Sequence, residues 1–249
     1  MDDSIDRLAV TARAQDAHFW FVGFRRFLQD RLTHVAAPRT DLHILDCGCG
    51  TGANLDVLGR FGRVYAFDVS DVGLRYARRT GRPLVRADIT RIPFADAAFD
   101  MVVSFDVFQM LPDDRRALAE MARVLRPGGT LLLSAAALEA LRGDHSDVWE
   151  EVRRYTPEMA RRLVTGAGLA VLNVSFLFAT LAPLIYLARA AQRRFPPAGT
   201  PRANADMRVP RRPLNRMLTW TLLAEAALAR HVPMPFGSSL LVTARKPRI

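Results

Sequence analysis

The residues best suited to chemistry lie together in Asp46-Cys47-Gly48-Cys49-Gly50-Thr51-Gly52. Glycines at alternate positions allow a tight turn and let a ligand approach the backbone closely. A helix starting just beyond them would offer unpaired N–H groups to that ligand. Asp68 follows Asp46 by 22 residues, a spacing at which a carboxylate can accept from both hydroxyls of a ribose. Alone, Gly48-Cys49-Gly50-Thr51-Gly52-Ala53 also fits the dinucleotide pattern G-x-G-x-x-G/A, so the loop does not choose its ligand. Asp46 tips the balance. It precedes the first glycine by two residues, where a pyrophosphate would approach, and a ligand with an ammonium group and no phosphate suits it better. Asp88, in Arg86-Ala87-Asp88-Ile89, could accept from an adenine amino group.

These residues need strands that end at one edge. Apolar runs at Leu42–Cys47, Val64–Val69, Leu84–Ala87, Asp100–Phe105, Thr130–Ala136, Leu169–Phe178 and Ser239–Arg245 read as seven strands. Helices are expected over Gly52–Gly59, Asp71–Thr80, Pro112–Leu125 and Thr156–Gly166. Repeated βα units imply an α/β fold, Rossmann-like and doubly wound, with a mostly parallel seven-stranded sheet. Residues 1–40 read as an N-terminal helical arm, 41–178 as a cofactor-binding core and 179–237 as a helical, Arg-rich insertion before the last strand, 238–249. The whole reads as one domain of 249 residues.

Charge is unevenly spread. Residues 179–249 hold 12 of the 35 basic residues against Asp206 and Glu225 alone, leaving 23 of each sign in residues 1–178. The net charge of +10 therefore belongs to the C-terminal part. Cys47 and Cys49 are too close for an ordinary disulfide and have no Cys/His companions, so a reducing compartment and no metal site are expected. The first 17 residues carry Asp2, Asp3, Asp6, Arg7, Arg13 and Asp16 and no apolar core of a signal peptide, which points to the cytoplasm.

Asp46-x-Gly48-x-Gly50-x-Gly52, Asp68, Ala87-Asp88, Phe99-Asp100-Met101-Val102-Val103-Ser104 and Leu125-Arg126-Pro127-Gly128-Gly129-Thr130-Leu131 resemble, in order and spacing, the motifs of class I S-adenosylmethionine-dependent methyltransferases. The likeness covers about residues 40–137 and is nearest to small-molecule enzymes of quinone, glycolipid and natural-product pathways. It implies S-adenosyl-L-methionine as cofactor. Asp46, Gly48 and Gly50 would surround its methionine part, Asp68 would hold its ribose, and Asp88 and Ile89 would frame its adenine, with Cys49, Asn54 and Val69 also binding the cofactor. Phe105 and Gln109 would lie near the sulfonium and the acceptor. Many relatives carry a His-His pair near Gln109-Met110, absent here. His18-Phe19-Trp20-Phe21 with Arg25 and Arg26 resembles an aromatic arm of some members. In that arm Trp20 would cover the cofactor and Arg25 would meet its carboxylate, or the helix simply packs on the sheet.

A general base is needed only if the acceptor loses a proton. His18, His145, Tyr155 and His231 are candidates, and His18 comes first because its arm would close over the cofactor. No Asn/Asp-Pro-Pro-Tyr follows the fourth strand, where Ser104-Phe105-Asp106-Val107 stands instead. A double-Glu hairpin and an Asp/Asn cluster for Mg²⁺ are also missing. Nucleic acid, protein arginine and catechol acceptors are thereby disfavoured, leaving a small or lipid-like one. The uncharged run 169–188 is long enough to span a membrane but reads better as a strand turning into a helix near Ala179. Arg189, Arg193, Arg194, Arg202, Arg208, Arg211, Arg212 and Arg216 follow it. The insertion could cover the acceptor pocket, a second subunit or a membrane surface. An NAD(P)-dependent oxidoreductase and a repurposed cofactor-binding protein without methyl transfer stay open as alternatives.

Overall fold

Apolar runs with residues buried on alternate sides make strands that can only sit between two layers of helix. A computed structural model describes residues 3–36, 38–194 and 207–248; Arg202 lies outside them. The strands are β1 (Leu42–Cys47), β2 (Gly62–Asp68), β3 (Leu84–Arg86), β4 (Phe99–Phe105), β5 (Leu125–Ala136), β6 (Ala170–Leu177) and β7 (Ser239–Arg245). They form one sheet in the order β3-β2-β1-β4-β5-β7-β6. β1 to β5 pair in parallel, whereas β7 runs antiparallel between β5 and β6. The carboxyl ends of β1, β2 and β4 thus meet at one edge of the sheet.

The helices are α1 (Asp3–Ala14), α2 (Phe19–Ala36), α3 (Leu55–Leu58), α4 (Asp71–Ala77), α5 (Asp114–Val124), α6 (Asp144–Val148), α7 (Pro157–Gly166), α8 (Ala182–Arg194) and α9 (Arg212–Ala229). Ile44, Val64 and Met101 face one side, under α2, α3, α4 and α9. Leu45, Phe67 and Val102 face the other, under α5 and α7. The doubly wound α/β sheet is therefore as expected, down to the pairing of the last two strands.

Some boundaries differ. The helix expected over Gly52–Gly59 shrinks to α3, because Gly52 sits at φ 80° and cannot join a right-handed turn. α5 starts at Asp114 and not at Pro112, because the Asp113 side chain accepts from Arg116 N and sets the cap. β5 begins at Leu125, which pairs with Phe99, and Gly128 at φ 79° lies within the strand. α6 has no counterpart in the expected elements. The uncharged run 169–188 divides as anticipated into β6 and α8, turned by Phe178 at φ 62°. Among the described residues no helix is long and apolar enough to cross a membrane.

The N-terminal arm and the insertion pack on each other. Gly23 lets α2 and α9 approach closely: a Cβ there would lie 2.6 Å from Leu222 Cδ1. Asn215 Oδ1 accepts from Phe19 N at 3.0 Å, and its Nδ2 donates to Ala17 O at 2.9 Å. The buried Glu225 carboxylate of α9 accepts from Ala179 N at 2.7 Å and Thr180 N at 2.9 Å, fixing the turn from β6 into α8. Glu225→Ala leaves those donors buried and unpaired. It is expected to destabilise the fold by about 2–4 kcal/mol, read as a lower midpoint in urea; an unchanged midpoint would show that water replaces the carboxylate at no cost.

Candidate active site

The glycine-rich loop leaves β1 in a conformation that only glycine adopts freely. Gly48 and Gly50 have φ of 81° and 52°. A Cβ on Gly48 would come 2.6 Å from Val107 Cγ2, while a Cβ on Gly50 would meet nothing within 4 Å. The first glycine admits the chain beyond β4, and the second leaves open space. Asp68, ending β2, holds the loop: its Oδ2 accepts from Gly50 N at 2.7 Å and its Oδ1 from Ser70 N at 2.8 Å. Ser70 in turn caps α4, accepting from Gly73 N. Ser104 Oγ donates to Cys47 O at 2.7 Å and ties the ends of β4 and β1 together.

Asp46 is buried beside Asp68, and among the described residues nothing donates to its carboxylate. Burial first, then the charge of Asp68, push its pKa up to about 8. Burial raises Asp68 too, but N–H groups of Ser70, Gly50 and Val69 support its ionised form. Asp68 therefore ionises first and Asp46 takes the penalty. The place lacks a cation. Burial first, then the Asp46 carboxyl, likewise pushes up the thiols of Cys47 and Cys49, which makes them poor nucleophiles.

The arm supplies complementary groups. Gln15, fully buried, receives the Thr51 hydroxyl on its Oε1, while its Nε2 is buried with no partner. The half-buried Arg25 makes no hydrogen bond or ion pair among the described residues. Desolvation lowers its pKa, Asp16 opposes that shift and Arg79 adds to it. Phe24 meets Phe105 edge-on at 5.4 Å, and Trp20 stacks on Phe178 at 3.9 Å. α2 thereby crosses the carboxyl ends of β4 and β6.

Other expected site residues spread more widely. Asn54 precedes α3, and its side chain makes no capping bond. Val69 is exposed. Asp88 is exposed, with Oδ1 accepting from Thr90 N and Oγ1, and Ile89 beside it is buried. Gln109 is buried with its Oε1 toward Ala136 N. His18 is buried; its Nδ1 accepts from Trp20 N at 3.3 Å and its ring stacks on Phe19, so the imidazole holds the first turn of α2. Tyr155 is bound to Asp114 at 2.7 Å and its pKa is raised by burial. His145 lies 6.0 Å from the Trp149 ring, and His231 is exposed beyond α9. No group of three or more His, Cys, Asp and Glu among the described residues could hold a metal ion.

Asp106 and Gln15 escaped the sequence reading. Asp106 follows β4 directly and adopts φ 56°, a strained conformation for a non-glycine residue. Its N–H donates to Ser134 Oγ at 3.1 Å, and that hydroxyl donates back to Asp106 Oδ1 at 3.0 Å. Burial chiefly raises its pKa to about 6, against the Ser134 hydrogen bond; Glu151 adds to the rise and Arg154 offsets it. Pairing with a residue 28 positions away leaves no local signal beyond the Asp itself.

Asp46 and Asp106 hold protons in the folded chain that the unfolded chain releases near pH 4. The folded pKa is raised, so stability is greatest below about pH 4 for these groups. It is lost as pH rises through about 6 for Asp106 and about 8 for Asp46. Asp46→Asn removes the charge and keeps the shape, and is expected to stabilise the ligand-free protein by about 1–3 kcal/mol at pH 8. Thermal midpoints from pH 5 to 9 check this; a lower midpoint for the variant at pH 8 would contradict it.

Residues 45–133 match the family model described as a methyltransferase domain. Malonyl-(acyl-carrier protein) O-methyltransferase of Serratia marcescens is 32% identical over 157 residues, 61% of each protein. Phthiotriol/phenolphthiotriol dimycocerosates methyltransferase of Mycobacterium tuberculosis is 33% identical over 108 residues, 39% of this chain and 40% of that one. The chain thus spans about three fifths or less of these curated relatives. Among solved structures, the (4+2)-cyclase SpnF superposes with a TM-score of 0.59 at 22% identity, over 89% of this chain and 80% of that one. That likeness concerns the fold alone. The matched segment, the ordered motifs and the sheet order identify residues 45–133 as a methyltransferase domain of the class I, S-adenosylmethionine-dependent type.

Proposed function

We propose that the protein transfers a methyl group from S-adenosyl-L-methionine to a small or lipid-like acceptor. The observation that carries this reading is the buried Asp46 carboxylate, which has no donor and stands beside a second carboxylate at the mouth of a glycine loop. A pyrophosphate would add charge of the wrong sign there, whereas an α-ammonium group supplies the missing cation. The orphaned Gln15 Nε2 and the unpaired Arg25 offer donors for a carboxylate on the arm side. The residues present therefore fit an amino-acid-bearing cofactor better than a dinucleotide.

When bound, S-adenosylmethionine supplies an electrophilic methyl group on a sulfonium centre. Asp46 would hold its ammonium group, and Asp68, already fixed by two backbone donors, would accept from its ribose hydroxyls. Asp88 and Ile89 frame the adenine, with Val69 beside it. Gly48, Cys49, Gly50 and Asn54 shape the floor. Phe105, under Phe24, would close the sulfonium side, and the arm, with Trp20 stacked on Phe178, would exclude water. Asp106, at the end of β4, accepts the proton that an acceptor O–H or N–H loses; His18 is already occupied in the arm. The acceptor enters beneath the arm–insertion layer, with Gln109 at its border.

By their names, the relatives above act on malonyl-(acyl-carrier protein) and on phthiotriol/phenolphthiotriol dimycocerosates. These names support a small or lipid-like acceptor, which we assign to natural-product, quinone or glycolipid chemistry. SpnF is named a cyclase, so the fold alone does not prescribe the reaction.

Calorimetry with S-adenosylhomocysteine and with NAD tests the cofactor. The former is expected to bind and the latter not; NAD binding would revive the oxidoreductase reading. Asp68→Ala is expected to weaken S-adenosylhomocysteine at least about five-fold, through loss of a charged acceptor. An unchanged dissociation constant in the folded variant would remove Asp68 from the site. With an acceptor in hand, kcat is expected to rise with pH through about 6 as Asp106 ionises. Asp106→Asn should lower kcat at least about a hundred-fold and abolish that limb, while S-adenosylhomocysteine affinity stays put. A retained limb would place the base elsewhere.

A further inference from the structure

α9 is amphipathic in the reverse of the usual sense. Its polar-anchored inner side, with Leu218, Leu222, Glu225 and Ala226, packs on α2 and the β6–α8 turn. Its outer side carries Leu214, Met217, Trp220 and Leu228, exposed by 47%, 58%, 63% and 54%. These positions fall on one stripe of the helix, running beside the packed one and outward from it. α8 shows the same habit, with Leu184 and Leu187 exposed by 61% and 62%. An aqueous surface would carry polar residues at such places, and a contiguous apolar face of this kind marks an interaction site.

The charges around the face select its partner. Arg208, Arg211, Arg212 and Arg216 are exposed at the amino end of α9, and their side chains make no hydrogen bond or ion pair among the described residues. The insertion's acids are Asp206 and Glu225 alone, and Glu225 is buried and engaged. A second copy pressed on this face would bring its own arginines against these, within a chain of net charge +10. An anionic lipid surface accepts both features at once. The arginines meet phosphates, and Trp220 with its apolar neighbours enters the headgroup boundary. No described helix can span the bilayer, so this is attachment to its surface.

We propose that α9 docks the protein onto an anionic membrane through Leu214, Met217, Trp220 and Leu228, with Arg208, Arg211, Arg212 and Arg216 on the lipid phosphates. The inference does not depend on the reaction catalysed. The test uses the full chain with vesicles of phosphatidylcholine alone, or with about 30 mol % phosphatidylglycerol. Co-sedimentation is expected with the anionic vesicles, at least roughly ten-fold tighter than with neutral ones and weakening as salt rises. Brominated acyl chains should quench tryptophan fluorescence in the wild type and much less in Trp220→Phe. Met217→Ser/Trp220→Ser and Arg211→Gln/Arg212→Gln/Arg216→Gln should each lose roughly ten-fold in vesicle affinity, with thermal midpoints unchanged because these side chains are exposed. Equal affinity for both vesicle types, no binding to either, or a dimer in sedimentation equilibrium that Trp220→Ser dissociates would overturn the proposal.

Discussion

Two carboxylates that ought to repel each other stand at the carboxyl ends of neighbouring parallel strands, and the rest of the site is arranged around them. Asp46 and Asp68 reach this position because β1 and β2 pair in register, Asp46 opposite Ala66. The turn between β1 and α3 is made of glycines that cannot screen them. Backbone N–H groups settle Asp68 as the ionised member. Asp46 is left buried and without a donor, its pKa pushed up to about 8 by burial and by Asp68. Such strain costs stability in the ligand-free chain, and a cation brought by a ligand would relieve it, as the proposed function requires.

The layer above this pair joins two parts of the chain far apart in sequence. α1 delivers Gln15 to Thr51, and α2 carries Phe24 to Phe105 and Trp20 to Phe178. α9 closes against α2 at Gly23, while Glu225 fastens the start of the insertion. The two segments therefore form one structural unit over the sheet edge, with α2 lying between α9 and the glycine loop's side of the sheet. The outward apolar face of α9 packs on nothing among the described residues.

The sheet and the first half of the site were legible because their signals are local. Short apolar runs reveal strands, and Asp46, Gly48, Gly50 and Asp68 declare themselves by spacing. What depended on distant partners was not legible. Asp106 takes its left-handed conformation from Ser134 on β5, and Gln15 matters only once α1 folds back to Thr51. α3 lost its first turn to the φ of Gly52, a choice that glycine leaves open until the loop is anchored by Asp68. The helical spacing in 214–228 was visible, but which stripe faces outward was decided by the contact with α2.

The central claim is that Asp46 is protonated without ligand and ionised with it. Proton release on binding S-adenosylhomocysteine measures this directly, by calorimetry at pH 7 in buffers of differing ionisation enthalpy. The account predicts release of close to one proton per site in the wild type, since the ammonium group draws Asp46 down from about 8, and none in Asp46→Asn. A binding enthalpy independent of buffer, or the same release in the variant, would contradict it.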